Sequence, residues 1–436
     1  MNGGFPPVRR REIASWCLYD FANSAFTTLI VTFIFSEFFV RVIVGDSVQG
    51  TVLWTRAVNI SAIIIALSMP VLGAIADSSG RKKTFLAVTT VQALAFTATL
   101  FFMGPGMVML AAVLFVVANV GFEGTQAFYN AFLPEIATRD NIGRISGYGW
   151  AAGYVGGGLL ALLIALAMVE FLPEDGYFNV RATNLLVVAW YGLFSIPLFL
   201  FLRERARPTS LPDTSYVRQG FRRVAETFQH LRRYREVAKL LLARLVYNDG
   251  LVTLFFLSAI YASSVFGMET ADLVKLGITA NICAAVGAFA LGFVNDWIGG
   301  KWTIAITLVV LSIAAIIGAT AETRTGFWIA VVGIGLMVGP NQAASRSLLG
   351  IMIPEEKQGE FFGFFAFSGK LSSVAGPFTF GTIVAATGSH RTAMASIIAF
   401  FVIGFVLLML VDEKAGIAAA RRETETPGQR TSVPGV

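Results

Sequence analysis

Apolar stretches of about 20 residues recur along the whole chain, and nothing else in the sequence restricts the fold as strongly. The stretch 182–202, for example, contains no charged side chain. A helix of ~20 apolar residues crosses a hydrocarbon core ~30 Å thick, and inside that core every backbone polar group must be satisfied within the chain. Of the 436 residues, 56% are hydrophobic and only 14% are charged, against roughly 25% charged in a soluble domain. Mean hydropathy is +0.70. The fold class is an all-α polytopic membrane protein.

Twelve spans are expected, at about 16–40, 52–76, 84–103, 106–131, 145–169, 182–202, 240–264, 272–297, 302–320, 326–350, 359–386 and 391–411. They divide six and six around a basic connection, 203–239. The chain is thus organised as a tail (1–15), a six-helix bundle (16–202), the linker, a second six-helix bundle (240–411) and a polar tail (412–436) expected to be disordered. If both ends are cytosolic, six of the 33 Lys and Arg lie at the far face: Arg41, Arg56, Arg181, Lys275, Arg324 and Arg391. Three more (Arg244, Arg346 and Lys370) lie within spans, and the other 24 are cytosolic. That fourfold excess predicts both termini inside.

The net charge of +6 does not point to nucleic acid, because the basic residues sit in short loops and the linker, where a topology signal belongs. In the linker, Phe221, Val224, Phe228 and Leu231 recur at helical spacing opposite arginines. This is the pattern of a helix lying in the headgroup layer. A calmodulin-like target would share the basic pattern. Two cysteines, Cys17 and Cys283, and two histidines give no disulfide framework, and no metal site or cofactor is expected. The basic N-terminus runs into a full-length span with no small-residue cleavage site, so it reads as a cytosolic tail.

The two halves repeat each other. "GAIADSSGRKK" carries Gly73, Asp77, Gly80, Arg81 and Lys82, and "GFVNDWIGGKW" carries Gly292, Asp296, Gly299 and Lys301, displaced by 219 residues. The Gly147/Gly153 spacing equals that of Gly363/Gly369. "YD" at Tyr19–Asp20 has its counterpart in "YND" at Tyr247–Asp249, at the start of span 7. Duplicated six-span units are typical of transporters. The loop pattern G-x-x-x-D-x-x-G-R-K resembles the major facilitator signature. The segments "WCLYDFANSAF", "FYNAFLPEIA", "YND" and "NQAASRS" resemble its vacuolar-effluxer-like branch, also filed as the Unknown Major Facilitator family. The resemblance implies two pseudo-symmetric six-helix bundles with spans 1, 4, 7 and 10 around a central cavity. It also implies a loop cluster (Gly73, Asp77, Gly80, Arg81, Lys82, with Asp296 and Lys301) that latches the halves together. Asp77 is then expected to meet Arg81 and a helix N-terminus of the other half. The plain alternative is that "GRKK" only anchors the chain at the membrane surface. Gly300 stands where Arg81 stands in the first copy, which weakens the second.

Ionisable residues at membrane depth are costly and mark functional sites. Span 1 carries Asp20, Asn23, Ser24 and Glu37; span 4 carries Glu123, Gln126, Tyr129 and Asn130. Span 7 carries Arg244, Tyr247, Asn248 and Asp249; span 10 carries Asn341, Gln342 and Arg346; span 11 carries Lys370. Glu123 and Lys370 fall near the midplane of opposite halves and could pair, bind a zwitterion or exchange a proton. Asp20, Asp249 and Arg346 are expected nearer the cytosolic gate, with Asp20 facing the "YND" of span 7. Asp20 could instead satisfy a helix start, Glu123 serve as a structural hydrogen-bonding group, and Lys370 snorkel. Tyr148, Trp150, Tyr154 and Phe367 either line the cavity or pack helices. Gly149, Gly153 and Gly157 form a small-residue ridge for a neighbouring helix.

The expected function is secondary transport of a small polar solute by alternating access; the family implies amino-acid-like or other small polar solutes. Protons are the expected coupling ion, with Glu123 and Asp249 as candidate carriers, and facilitated efflux without protons is the alternative. No G-x-x-x-x-G-K-[ST] motif is present for ATP hydrolysis. A membrane-embedded enzyme would need a nucleophile–base or metal cluster that the spans lack; a receptor-like protein without flux is the other alternative. A monomer in a bacterial inner membrane is expected, with the lipid bilayer, solute and protons as partners and no nucleic acid.

Overall fold

The computed structural model describes residues 7–205, 216–229, 232–372 and 375–425, and among these it is helical with no strand. Among the described residues, ten helices are long and apolar enough to cross a membrane. Spans 1 to 6 are Arg10–Val44, Ser47–Ser79, Lys82–Leu100, Val108–Ile136, Ile142–Phe171 and Asp175–Phe201. Spans 8, 9, 10 and 12 are Asp272–Ile298, Gly300–Thr320, Arg324–Met352 and His390–Met409. Span 7, Arg235–Phe266, makes an eleventh and bends by 49° after Phe255. The expected span 11 is not one rod. It is two helices in tandem, Gln358–Leu371 and Ala375–Thr387, each too short to cross alone.

Buried apolar side chains form two main clusters, one around Trp16, Phe115 and Tyr191 in the first half and one around Tyr247, Leu308 and Phe401 in the second. Sequence boundaries fall short at several ends. Span 1 begins at Arg10, so Trp16 to Phe26 lies well inside the helix and not at its mouth. The linker contains a helix, Tyr216–Gln229; its Pro-rich start, 206–215, and the extreme termini lie outside the described residues. The tail expected to be disordered forms a helix from Glu413 to Glu425. That helix packs on the bundle: Ala420 is buried, and Glu423 pairs with Arg233 and accepts from the Tyr234 hydroxyl. The face carrying both termini and the linker helix is called the terminal face below.

At that face each half ties span 3 or 9 to the end of span 6 or 12 in the same way. Lys83 Nζ donates to the Leu202 carbonyl, and its N–H donates to Glu204 at 2.7 Å. Lys301 Nζ donates to the Met409 and Val411 carbonyls, and its N–H donates to Glu413 at 3.2 Å. Lys301 is thus a counterpart of Lys83 and belongs to its own half, not to a latch. Burial pushes the Glu204 carboxyl up to about 7, with the Lys83 N–H opposing; its Oε1 has no hydrogen-bond partner among the described residues. A carboxyl raised above its unfolded value, about 4.3, stabilises the fold while protonated. That contribution is complete below pH ~4 and lost as pH rises through about 7. Melting temperature measured from pH 5 to pH 8 should therefore fall less steeply in Glu204→Gln than in the wild type. Parallel curves would remove Glu204 from the account.

Candidate functional site: contacts between the halves

Span 5 supplies glycines where span 1 must approach. A Cβ on Gly149 would stand 2.6 Å from Asp20 Oδ2, one on Gly153 2.6 Å from Ser24 Oγ, and one on Gly157 2.1 Å from the Ser24 carbonyl carbon. The ridge read from the sequence therefore seats span 1. Both helices carry π-helical turns here, Phe26–Phe33 and Gly156–Ala161, which is where such turns frequently mark function.

Against this floor lies Arg346 of span 10. Its Nη1 donates to Asp20 Oδ2 and Asn130 Oδ1, both at 3.1 Å. Nε donates to Ser146 Oγ at 2.9 Å and Nη2 to the Ser146 carbonyl at 2.7 Å. The guanidinium carbon stands 4.7 Å from the Trp16 ring centre, 5.6 Å from Trp150 and 5.8 Å from Tyr129. Trp16 and Tyr129 are themselves stacked at 4.5 Å. The pair is 3% and 10% exposed. A desolvated cation over aromatic faces gains ~2 kcal/mol, and the fork uses all three of its nitrogens on the opposite half. Asp20 thus faces Arg346 and not the span 7 "YND". Asn23 is buried one turn deeper, and its Nδ2 lacks an acceptor among the described residues, as does Trp150 Nε1.

Nearer the terminal face, two carboxylates cap helices across the interface. Asp77 accepts the N–H groups of Gly359 and Glu360, each at 2.9 Å, at the start of span 11. Asp296 accepts those of Gly143 and Arg144, at 2.7 and 3.3 Å, at the start of span 5. Helix N-termini carry roughly half a positive charge and unsatisfied donors, so both carboxylates are well placed. The cation beside Asp77 is the buried Lys82, at 4.0 Å, which also pairs with Glu135 and donates to Gln358 Oε1 at 2.7 Å. Arg81, expected in that role, is exposed. Asp296 pairs instead with Arg144, at 3.1 Å. Gly80 ends span 2 in the left-handed conformation, φ 62°.

The crossings leave no room for side chains. A Cβ on Gly73 would lie 2.1 Å from the Gly359 carbonyl oxygen, and one on Gly147 2.4 Å from that of Ala288. Gly73→Val therefore clashes only while the terminal face is closed. Overpacking costs ~1–3 kcal/mol, so the equilibrium should move ~5–150-fold toward an open terminal face. Maleimide labelling of the native Cys17, in a Cys283→Ser background, reads this. Unchanged labelling would show that the crossing does not move.

Toward the midplane, Glu123 of span 4 and Lys370 of span 11 pair directly, both half-buried. Gln126, also half-buried, lies one turn from Glu123. Among the described residues, the hydrogen bonds that cross between the halves run from the terminal face up to this pair. Asp249 lies 14 residues into span 7, ~21 Å at 1.5 Å per residue, and so at midplane depth instead of near the gate. Its oxygens accept the N–H groups of Ala375 and Gly376 at 3.0 and 2.8 Å, capping the second helix of span 11. Asn248 donates to Ser372 and accepts from Gln342 at 2.7 Å. Asn341 is buried and donates to Thr307 Oγ1 at 2.9 Å; it supports span 10 and does not face the partner half. Arg244 stacks 3.6 Å from the Phe365 ring and donates to Ser368 Oγ at 3.0 Å. Tyr148 packs on Phe289 of span 8. No grouping of three or more His, Cys, Asp or Glu among the described residues suits a metal ion.

The sequence reading missed Ser146, Glu135, Gln358 and the two helix starts. The repeated glycines at 147 and 363 were the available signal, since both helix starts, Ile142 and Gln358, lie five residues before them.

A family model described as "Vacuole effluxer Atg22 like" matches residues 38–421. An uncharacterized MFS-type transporter of Bacillus subtilis, YxiO, is 30% identical over 420 residues, 95% of this chain and 97% of that one. Autophagy-related protein 22 of Yarrowia lipolytica is 26% identical over 341 residues, 71% of this chain and 56% of that one. In fold, the chain resembles the Escherichia coli fucose:proton symporter FucP, with a TM-score of 0.73, 15% identity, and 92% and 98% of the two chains covered.

Proposed function

The chain belongs to the Atg22-like vacuole effluxer family of major facilitator transporters, and from that premise we propose a solute, a site and a conformational state. Its Bacillus relative is an MFS-type transporter, and the chain is likewise a transporter and not an enzyme. The proposed solute is a small zwitterion such as an amino acid, carried by alternating access. The observation that supports this reading is the Glu123–Lys370 pair. It joins one acid and one base from opposite halves, half-buried, on the midplane side of the Asp20–Arg346 closure. An ammonium group would take Lys370's place on Glu123, and a carboxylate would take Glu123's place on Lys370. The unpartnered N–H donors of Asn23 and Trp150 would meet acceptors on the solute.

With the terminal face assigned to the cytosol, as the Lys and Arg excess expects, this conformation is closed to the cytosol. Asp20–Arg346 is the gate, and Asp77, Asp296 and the glycine crossings are the latch. Proton coupling follows from Glu123: a protonated Glu123 releases Lys370 without solute. A bacterial cell membrane fits the relative from Bacillus, and a monomer fits the closure within one chain. The test is uptake of a panel of amino acids into proteoliposomes with and without an imposed pH gradient. Gradient-stimulated uptake of at least one is expected. Flux of only non-zwitterionic solutes would overturn the solute class, and no flux of any solute would favour a receptor.

A further inference from the structure

The linker helix, Tyr216–Gln229, has three distinct sides. One faces protein: a Cβ on Gly220 would stand 2.5 Å from Ile75 at the terminal end of span 2, and Thr227 is buried, accepting from Lys357 Nζ at 3.0 Å. At 100° per residue, Val217, Phe221 and Val224 lie roughly a quarter-turn away. Phe221 is 61% exposed and Val217 54%, with Tyr216 exposed at the helix start. The next side carries Arg218 and Arg222, the latter 79% exposed beside Glu226. Of the apolar face expected from the sequence, the side chain of Phe228 and residue Leu231 lie outside the described residues.

The helix also bridges the two halves. Arg223 Nη1 donates to Ser78 Oγ at 2.8 Å in span 2, next to Asp77, and Nη2 donates to the Glu356 carbonyl at 2.7 Å. Arg223 Nε is the ion-pair partner, at 4.0 Å, of Glu360, whose carboxylate is fully buried beside the Asp77 latch.

We infer that the linker helix is an interfacial anchor whose partner is the anionic headgroup layer of the adjoining leaflet, and that it couples lipid charge to closure of the latch. Its position beside a membrane span sets the depth. Its apolar side reaches hydrocarbon there while Arg218 and Arg222 reach phosphate, the arrangement of a basic interfacial helix. Holding the helix at the surface holds Arg223 between Ser78, Glu356 and Glu360, which is available only when the halves are closed on this face. An anionic leaflet therefore favours the closed state, as any ligand with differential affinity must.

The experiment uses the full-length chain in vesicles of phosphatidylcholine with or without 30% phosphatidylglycerol. A spin label at Val217→Cys, in a background with both native cysteines replaced, reports depth through relaxation by oxygen against a water-soluble nickel complex. Labelling of native Cys17 in Cys283→Ser reports closure without any solute, so a failure of the transport reading leaves this test intact. The label is expected in the bilayer. Cys17 labelling is expected to slow roughly tenfold with phosphatidylglycerol, and that response to vanish in Arg218→Gln/Arg222→Gln while labelling in pure phosphatidylcholine stays unchanged. A label in water in both compositions would overturn the anchor and point to a soluble partner for this face. A buried label with lipid-independent Cys17 labelling would overturn the coupling.

Discussion

Arg346→Ala is expected to abolish transport and leave the terminal face open. In the closed state the guanidinium satisfies Asp20, Asn130 and Ser146 together, 97% removed from solvent. Truncating one partner of a buried ion pair leaves the other desolvated and alone, at a cost of ~3–5 kcal/mol. That cost falls on the closed state, because Asp20 regains water once the halves part. A bias of this size moves a two-state equilibrium by ~10²–10⁴-fold. Cys17 lies one turn from Asp20 toward the terminal face, with its thiol directed at the Ile145 carbonyl. Its maleimide labelling should accelerate by a similar factor, while flux falls to background. Arg346→Lys should not restore flux, because an ammonium cannot reproduce three directed contacts from a rigid fork. Normal flux in Arg346→Ala would leave the gate without a role.

The second large effect is expected at Glu123. Glu123→Gln keeps the shape of the protonated carboxyl and cannot release a proton. If Glu123 carries the coupling proton, this variant loses gradient-driven accumulation yet still exchanges solute across the membrane. Lys370→Met should lose both, because a carboxylate-bearing solute then has no cation paired with Glu123. The pair is half-buried, so breaking it costs less than breaking the gate, ~1–3 kcal/mol after allowance for solvent. Both variants should therefore insert and fold. The exchange-to-accumulation ratio in Glu123→Gln separates a carrier from a structural acid. Equal losses of both activities would assign Glu123 to binding alone, and retained accumulation would remove it from coupling.

Much of this is legible in the periodicity of the sequence. Runs of ~20 apolar residues have one outcome in a bilayer, so the helical class followed directly. The 219-residue displacement of the Asp77 and Asp296 loops marked the two places where carboxylates cap helices of the opposite half. Pairing partners were harder to read. Nothing in the spacing of Asp20 distinguishes Tyr247–Asp249 from Arg346, because both sit on helices around the same axis, and only packing decides. Arg81 and Lys82 are adjacent and of one charge; which one turns inward depends on the φ 62° turn at Gly80. Asp249 reads from the sequence as an acid nearer the cytosolic gate, because the break in span 11 leaves little trace in hydropathy and the amides it caps exist only at that break. The tail helix was hidden by its polar composition, since its burial depends on Arg233, Tyr234 and Met352 from distant parts of the chain.

The most direct test of the central claim is the distance across the terminal face. Spin labels at Thr138→Cys in the first half and Glu355→Cys in the second, with Cys17 and Cys283 replaced by Ser, flank the same cleft. Pulsed dipolar spectroscopy on the reconstituted full-length chain should resolve a short distance, for the closure described here, and a longer one. Addition of a transported solute should shift the populations, and Arg346→Ala should leave almost only the longer distance. A single short distance under all these conditions would contradict alternation about the Asp20–Arg346 gate.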